Sequence, residues 1–247
     1  MSNSESGSII ELPLDIHPQP NDHTCGPTCL QAVYRYFGED LELERVIAET
    51  APLESGGTLA VFLANHALRR GYRATIYTYN LQLFDPAWFG SGVDLSERLR
   101  AQAAVKSDPK LQIATTAYLE FLQQGGRVWF EDLTPQVLER HLVKRQPILT
   151  GLSATYLYGC AREFGDFTLV YDDIRGEPTG HFVVLRGYDA SAERVMVSDP
   201  YHENPLFRKH EYWLPVGRVV SAILLGMVSY DANLLVLEPP DSPEPTS

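Results

Sequence analysis

The residues best suited to chemistry lie in one dozen, QPNDHTCGPTCL, from Gln19 to Leu30. Cys25 is followed at once by Gly26 and Pro27, and then by apolar residues at helical spacing (Leu30, Val33, Tyr34, Phe37). The pattern predicts a thiol at the mouth of a helix. There the positive end of the helix dipole and unpaired backbone N–H groups favour thiolate over thiol. Gln19, six residues upstream, can supply a side-chain N–H to an oxyanion formed at the same spot. A cysteine nucleophile also needs a base, and the base an orienting carboxylate or amide.

Seven histidines are available. His17 and His23 flank the cysteine loop, His66 and His141 fall mid-helix, and His202 and His210 lie in a charge-rich loop where solvated rings are the expectation. His181 differs: it follows Gly180 and opens an apolar strand, so its ring can project from a strand end into a cleft. HFVVLRGYD and RVMVSDP read as two strands joined by a hairpin at Ala190–Glu193. If Tyr188 pairs with Arg194, Val183 pairs with Asp199, and His181 and Asp199 share a face. As diagonal neighbours they would stand roughly 7–8 Å apart at the backbone, within reach of a His–carboxylate hydrogen bond. A one-residue slip would separate them. Asp189 is the competing carboxylate, expected in solvent at the hairpin tip. The predicted roles are Cys25 as nucleophile, His181 as its proton partner, Asp199 as the group holding the ring, and Gln19 with the Cys25 N–H as oxyanion donors.

These residues together, Gln19, Cys25-Gly26-Pro27, Gly180-His181-Phe182-Val183-Val184 and Asp199-Pro200, resemble the bacteriocin-processing peptidases, which remove double-glycine leaders from secreted peptides. The resemblance covers about 12–70 and 130–230. It implies a papain-like fold, a Cys-His-Asp triad with a Gln oxyanion donor, and cleavage of a peptide bond through an acyl-enzyme thioester. Members are usually fused to a membrane transporter with an ATPase. No such parts are expected within these 247 residues, and the Cys–His separation is longer than in the compact members, so the expectation is a resemblance to the stand-alone relatives. An acyl transferase or amidase (transglutaminase-like or phytochelatin-synthase-like) would use the same triad, and a non-catalytic peptide-binding module is the reading from another class.

Helical patterns dominate the first half of the chain. They are read over 27–37, 41–50, 58–70 (with Thr58 as candidate N-cap), 95–107, 109–124 and 135–145 (Thr134 as N-cap, Pro135 at the first helical position). Tyr72–Tyr79, Arg127–Glu131 and Pro147–Gly151 read as strands, Leu152–Thr179 as loop, and Glu211–Leu214, Ala222–Val228 and Leu234–Val236 as strands after the hairpin. This is an α+β plan: an N-terminal helical lobe packed on a C-terminal antiparallel sheet, with the cleft between them. One domain over 1–238 is expected, with a helical insertion about 72–130 that could wall or cap the cleft, and a disordered Pro-rich tail at 239–247.

The 247 residues are 44% hydrophobic, enough for a packed core, and carry a net charge of −12. That charge argues against a nucleic-acid partner and tolerates a cationic peptide. The partner expected is a peptide or protein substrate. Neither the N-terminus nor VVSAILLGMV, which reads as a buried strand, is long and apolar enough to span a bilayer. Three cysteines make no disulfide framework, and a cytoplasmic setting is expected. Cys29, one turn after Cys25, should face the core, and Cys160 should be structural. No metal site is expected, because Cys-x-x-x-Cys lacks a second ligand pair. No cofactor is expected, because Gly56-Gly57 lacks the Lys of a phosphate loop. Trp88, Trp129 and Trp213 are expected in the core. The substrate, the choice between hydrolysis and acyl transfer, and the oligomeric state are not encoded in any motif.

Overall fold

The structure, a computed structural model, describes residues 9–50, 53, 57–165 and 170–240. The elements are β1 (Ile9–Glu11), α1 (Cys25–Tyr36), α2 (Leu43–Glu49), α3 (Ala60–Arg69), β2 (Arg73–Thr78), α4 (Leu95–Val105), α5 (Pro109–Gln123), β3 (Arg127–Trp129), α6 (Pro135–Val143), β4 (Ile148–Ser153), α7 (Ala154–Tyr158), β5 (Glu163–Phe164), β6 (Val170–Tyr171), β7 (Gly180–Asp189), β8 (Arg194–Ser198), β9 (Glu211–Pro215), α8 (Val216–Leu225) and β10 (Asn233–Glu238). Most of the tail read as disordered, 241–247, lies outside the described residues.

One sheet runs β3-β2-β10-β4-β7-β8-β9, with β1 paired to the far end of β7. It is antiparallel except for the β2–β3 pair. The last strand to be made, β10, lies in the middle, between β2 and β4. The four residues between its polar ends, Leu234–Leu237, are all apolar because both faces of the strand are covered. Leu235 and Leu237 join a core with Leu30, Val33 and Leu63 from α1 and α3. Leu234 and Val236 join a second core with Leu138, Leu157 and Ile223 from α6, α7 and α8. The fold is α+β, with helices on both faces of the sheet. Residues 72–130 contribute β2 and β3 to that sheet, and α5 packs on α3 through buried Ala114, Ala117 and Phe121.

Four sequence expectations are corrected. Ala222–Val228 is not a strand: residues 216–225 form α8. Val216, Val219, Ala222 and Ile223 fall on one helical face and bury against the sheet, and that burial overrides the β propensity of a short Val/Ile-rich run. Leu152–Thr179 is not all loop. The Ser153 Oγ caps the Tyr156 N–H at 3.3 Å and Gly159 ends α7 in the left-handed region, while β5 and β6 form a small two-stranded ribbon. Thr58 is not the N-cap of α3; Leu59 occupies that position, with no side-chain cap bond. None of the three tryptophans is fully buried, and Trp129, on the edge strand β3, is 55% exposed.

Candidate active site

The helix start is where the sequence places it. α1 begins at Cys25, and its N-cap, Thr24, makes no side-chain cap bond. The Thr24 hydroxyl turns back to the Asn21 carbonyl instead, at 3.0 Å. Gly26 is required here. A Cβ at that position would lie 2.5 Å from the Thr58 methyl and 3.2 Å from Leu63, so glycine lets the first turn lie close against the start of α3. Cys29 ties the same helix to β7, its Sγ donating to the Phe182 carbonyl at 3.3 Å. Burial, with the nearby Cys25 and Asp199 charges, pushes the Cys29 thiol well up in pKa and leaves it inert.

The hairpin reaches the geometry by a different route from the one its sequence suggests. At the turn the pairs are Asp189↔Arg194 and Tyr188↔Val195, one residue out of the predicted register. A bulge between Leu185 and Gly187 leaves Arg186 as the extra residue. Beyond it Leu185 pairs with Val197 and Val184 with Ser198, so the register is the predicted one by the time it reaches the site. Arg186 pins the bulge. It is 4% exposed, donates to Ser198 Oγ at 3.0 Å and to the Leu12 carbonyl at 2.9 Å, and pairs with Glu11 and Glu211. Asp189, expected in solvent, is buried at 3% exposure and organises the turn, accepting from Ser191, Ala192 and Arg194.

His181 Nε2 and Asp199 Oδ1 are 2.9 Å apart. The ring, 7% exposed, faces the same cleft as the Cys25 thiol, whose interaction with it raises the ring's pKa. With Nε2 committed to Asp199, Nδ1 is the nitrogen left for the sulfur. Asp199 is fully buried and its carboxylate is saturated with donors. Oδ1 also accepts the Tyr201 N–H at 2.9 Å, and Oδ2 accepts the hydroxyls of Tyr158 (2.8 Å) and Tyr212. Burial, with the Asp199 charge, raises both tyrosine pKa values, so the two hydroxyls stay protonated as donors. Burial works against a charged His181, but the Asp199 carboxylate and the Cys25 sulfur outweigh it, and its pKa is pushed up to about 10.

Gln19 lines the same cleft, of ≈ 480 Å³, as Cys25 and His181. Its backbone N–H is tied to the Pro200 carbonyl at 2.9 Å, one residue past Asp199. Its amide gives one N–H to the Asn21 carbonyl at 3.0 Å and keeps a second. Tyr158, Tyr201 and Tyr212 escaped the sequence reading. Tyr158 lay in the segment without a period, and nothing in the pattern of β9 marks the inward Tyr212 as a donor. Among the described residues no cluster of three or more His, Cys, Asp or Glu side chains is arranged for a metal ion, and no helix is long and apolar enough to cross a membrane.

The sequence model of the Peptidase_C39 like family matches residues 11–219, from β1 into α8. The chain belongs to this family. It is accordingly a cysteine peptidase. No curated protein matches with significance. Among solved structures it is similar to a double glycine motif protease from an AMS/PCAT transporter in complex with the leader peptide (13% identity, 93% of this chain and 94% of that one, TM-score 0.42). It is also similar to the peptidase domain of Streptococcus ComA (14%, 92% and 98%, TM-score 0.44) and to a C39-like peptidase from Bacillus anthracis (16%, 94% and 98%, TM-score 0.44).

Proposed function

We propose that this C39-like peptidase hydrolyses a peptide bond in a peptide or protein substrate, with Cys25 as nucleophile, His181 as acid and base, Asp199 as the positioning carboxylate and Gln19 as an oxyanion donor. The observation that carries the reading is His181 held between the buried Asp199 and the Cys25 thiol at a helix N-terminus, inside a cleft. The raised His181 pKa supports an imidazolium beside the Cys25 sulfur at neutral pH.

In the first step the Cys25 sulfur bonds to the substrate carbonyl carbon, and the π electrons move to oxygen. That oxyanion is met by the Cys25 backbone N–H and the free Gln19 N–H. Collapse restores the carbonyl and breaks the C–N bond, and the His181 proton goes to the leaving amine. Water then attacks the thioester and gives a proton to His181. The C–S bond breaks, releasing the carboxylic acid and the Cys25 thiolate beside its imidazolium. An amine in place of water would make the same site an acyl transferase.

The test is intact-mass spectrometry of the protein with a mixed peptide library. The expected result is a transient acyl adduct on Cys25 with new peptide termini, both lost in Cys25→Ala. Turnover that survives Cys25→Ala refutes the reading. Added hydroxylamine partitions the acyl-enzyme and measures how readily water competes with an amine.

A further inference from the structure

One carboxylate in the cleft has no part in the chemistry above. Asp231, between α8 and β10, is 5% exposed and lines the same cleft as Cys25 and His181. Its Oδ2 lies against the Cα of Gly180, the residue before His181, where any side chain would collide with it and with Ser229 Oγ. The protein does little to satisfy this charge. Ser229 is its hydrogen-bonding side chain, yet the single Ser229 hydroxyl proton is already drawn to the Gly226 carbonyl at 3.0 Å. Lys110, reaching in from α5, gives its Nζ to the Ser229 carbonyl at 3.0 Å and lies over the Tyr230 ring. Among the described residues no ion pair includes Asp231. Burial accordingly raises its pKa to about 7, with Lys110 and His181 the charged groups that pull the other way. A buried carboxylate with so few donors is costly until a cation arrives. Three further carboxylates, Asp22, Glu163 and Glu177, line the cleft, against the Lys110 ammonium and the rings of His23 and His181.

We propose that Asp231 is the specificity group of the cleft, binding the cationic side chain of a lysine or arginine in the peptide substrate at the Gly180–Ser229 wall beside Cys25 and His181. The inference rests on the peptidase reading and names its substrate class. Gly180 is then needed for recognition: it keeps the carboxylate open to the cleft one residue from the ring that moves the proton.

The experiment uses N-acetylated tripeptidyl vinyl sulfones, which alkylate a thiolate and carry no free α-amine. Lysine is placed in turn at each of the three positions, against norleucine and glutamate, and labelling of Cys25 is followed by intact mass. At one position lysine should label about tenfold faster than norleucine, the scale of a charge-assisted hydrogen bond, and glutamate slower than both. In Asp231→Asn the lysine-to-norleucine ratio should fall to near one. Equal rates for lysine and norleucine at all three positions of the wild type overturn the inference. They leave the Cys25 reading standing, because norleucine labelling itself reports a competent thiol. A lysine preference that Asp231→Asn leaves unchanged also overturns it. A set that leaves Cys25 unlabelled overturns the inference and the peptidase reading together.

Discussion

Asp199→Asn isolates the charge behind His181 from the geometry that holds it. The side chain is fully buried, and its two oxygens face different partners: His181 Nε2 and the Tyr201 N–H at Oδ1, Tyr158 and Tyr212 at Oδ2. Asparagine fits with its oxygen toward His181 and Tyr201 and its NH2 toward the tyrosines, whose hydroxyls can rotate to accept. The ring is then still held, and the negative charge is gone. A charge-assisted bond exceeds a neutral one by about 1–1.5 kcal/mol, and the full Coulomb attraction near 4 Å is about 4 kcal/mol at an effective dielectric of 20. At 1.36 kcal/mol per pH unit, the His181 pKa should therefore fall from about 10 by roughly one to three units. The assay is NMR titration of the His181 ring in wild type and variant, with the pH profile of Cys25 alkylation alongside. The upper limit of the alkylation plateau should move down with the ring. A His181 that titrates unchanged in the variant refutes the assignment of Asp199 as the source of the shift.

Four other outcomes follow from the same geometry. The folded His181 pKa is raised above 6.5, so its contribution to stability is complete below that value and is lost as pH climbs through about 10. Thermal melts should decline over that window, and less so in His181→Gln. Arg186→Leu removes the side chain that pins the bulge, takes one of two donors from the Leu12 carbonyl and leaves Glu11 and Glu211 without their shared cation, which should cost about 2–4 kcal/mol in denaturant unfolding and slow Cys25 alkylation; unchanged alkylation would show that the register does not depend on Arg186. Gly180→Ala should displace Asp231, reducing turnover of peptides while iodoacetamide still reaches Cys25; equal losses in both would contradict that division. Cys29→Ala deletes a buried, inert thiol and one hydrogen bond. It should lower stability by about 1 kcal/mol and leave the alkylation rate of Cys25 unchanged, so a parallel fall in that rate would give Cys29 a role denied it here.

The parts of the site legible in the sequence were those governed by local rules. Gly-Pro after Cys25 and apolar spacing beyond it mark a helix start, and a polar turn between two apolar runs marks a hairpin. The face shared by His181 and Asp199 was reached with the wrong pairing at the turn, because one bulged residue, Arg186, offset the one-residue slip. No short-range pattern announces a bulge whose cause is ion pairs to Glu11 and Glu211, far along the chain. The same limit hid α8, whose apolar run suits helix or strand until a sheet face is there to cover, and α7, whose five residues are too few to show a period. It also hid Asp231. A carboxylate before a final strand looks like any turn residue, and only the β10–β4–β7 packing brings it onto Gly180.

The proposed chemistry depends on Cys25 being an activated nucleophile in the charge field of His181 and Asp199. Its most direct test is site-resolved alkylation by iodoacetamide near neutral pH, read by mass spectrometry on the folded protein. Cys160, half-buried and with its pKa raised by burial, is the internal reference. Cys25 should be modified far faster than Cys160, and His181→Ala should abolish the difference. Modification of Cys25 at or below the rate of Cys160 would contradict that chemistry.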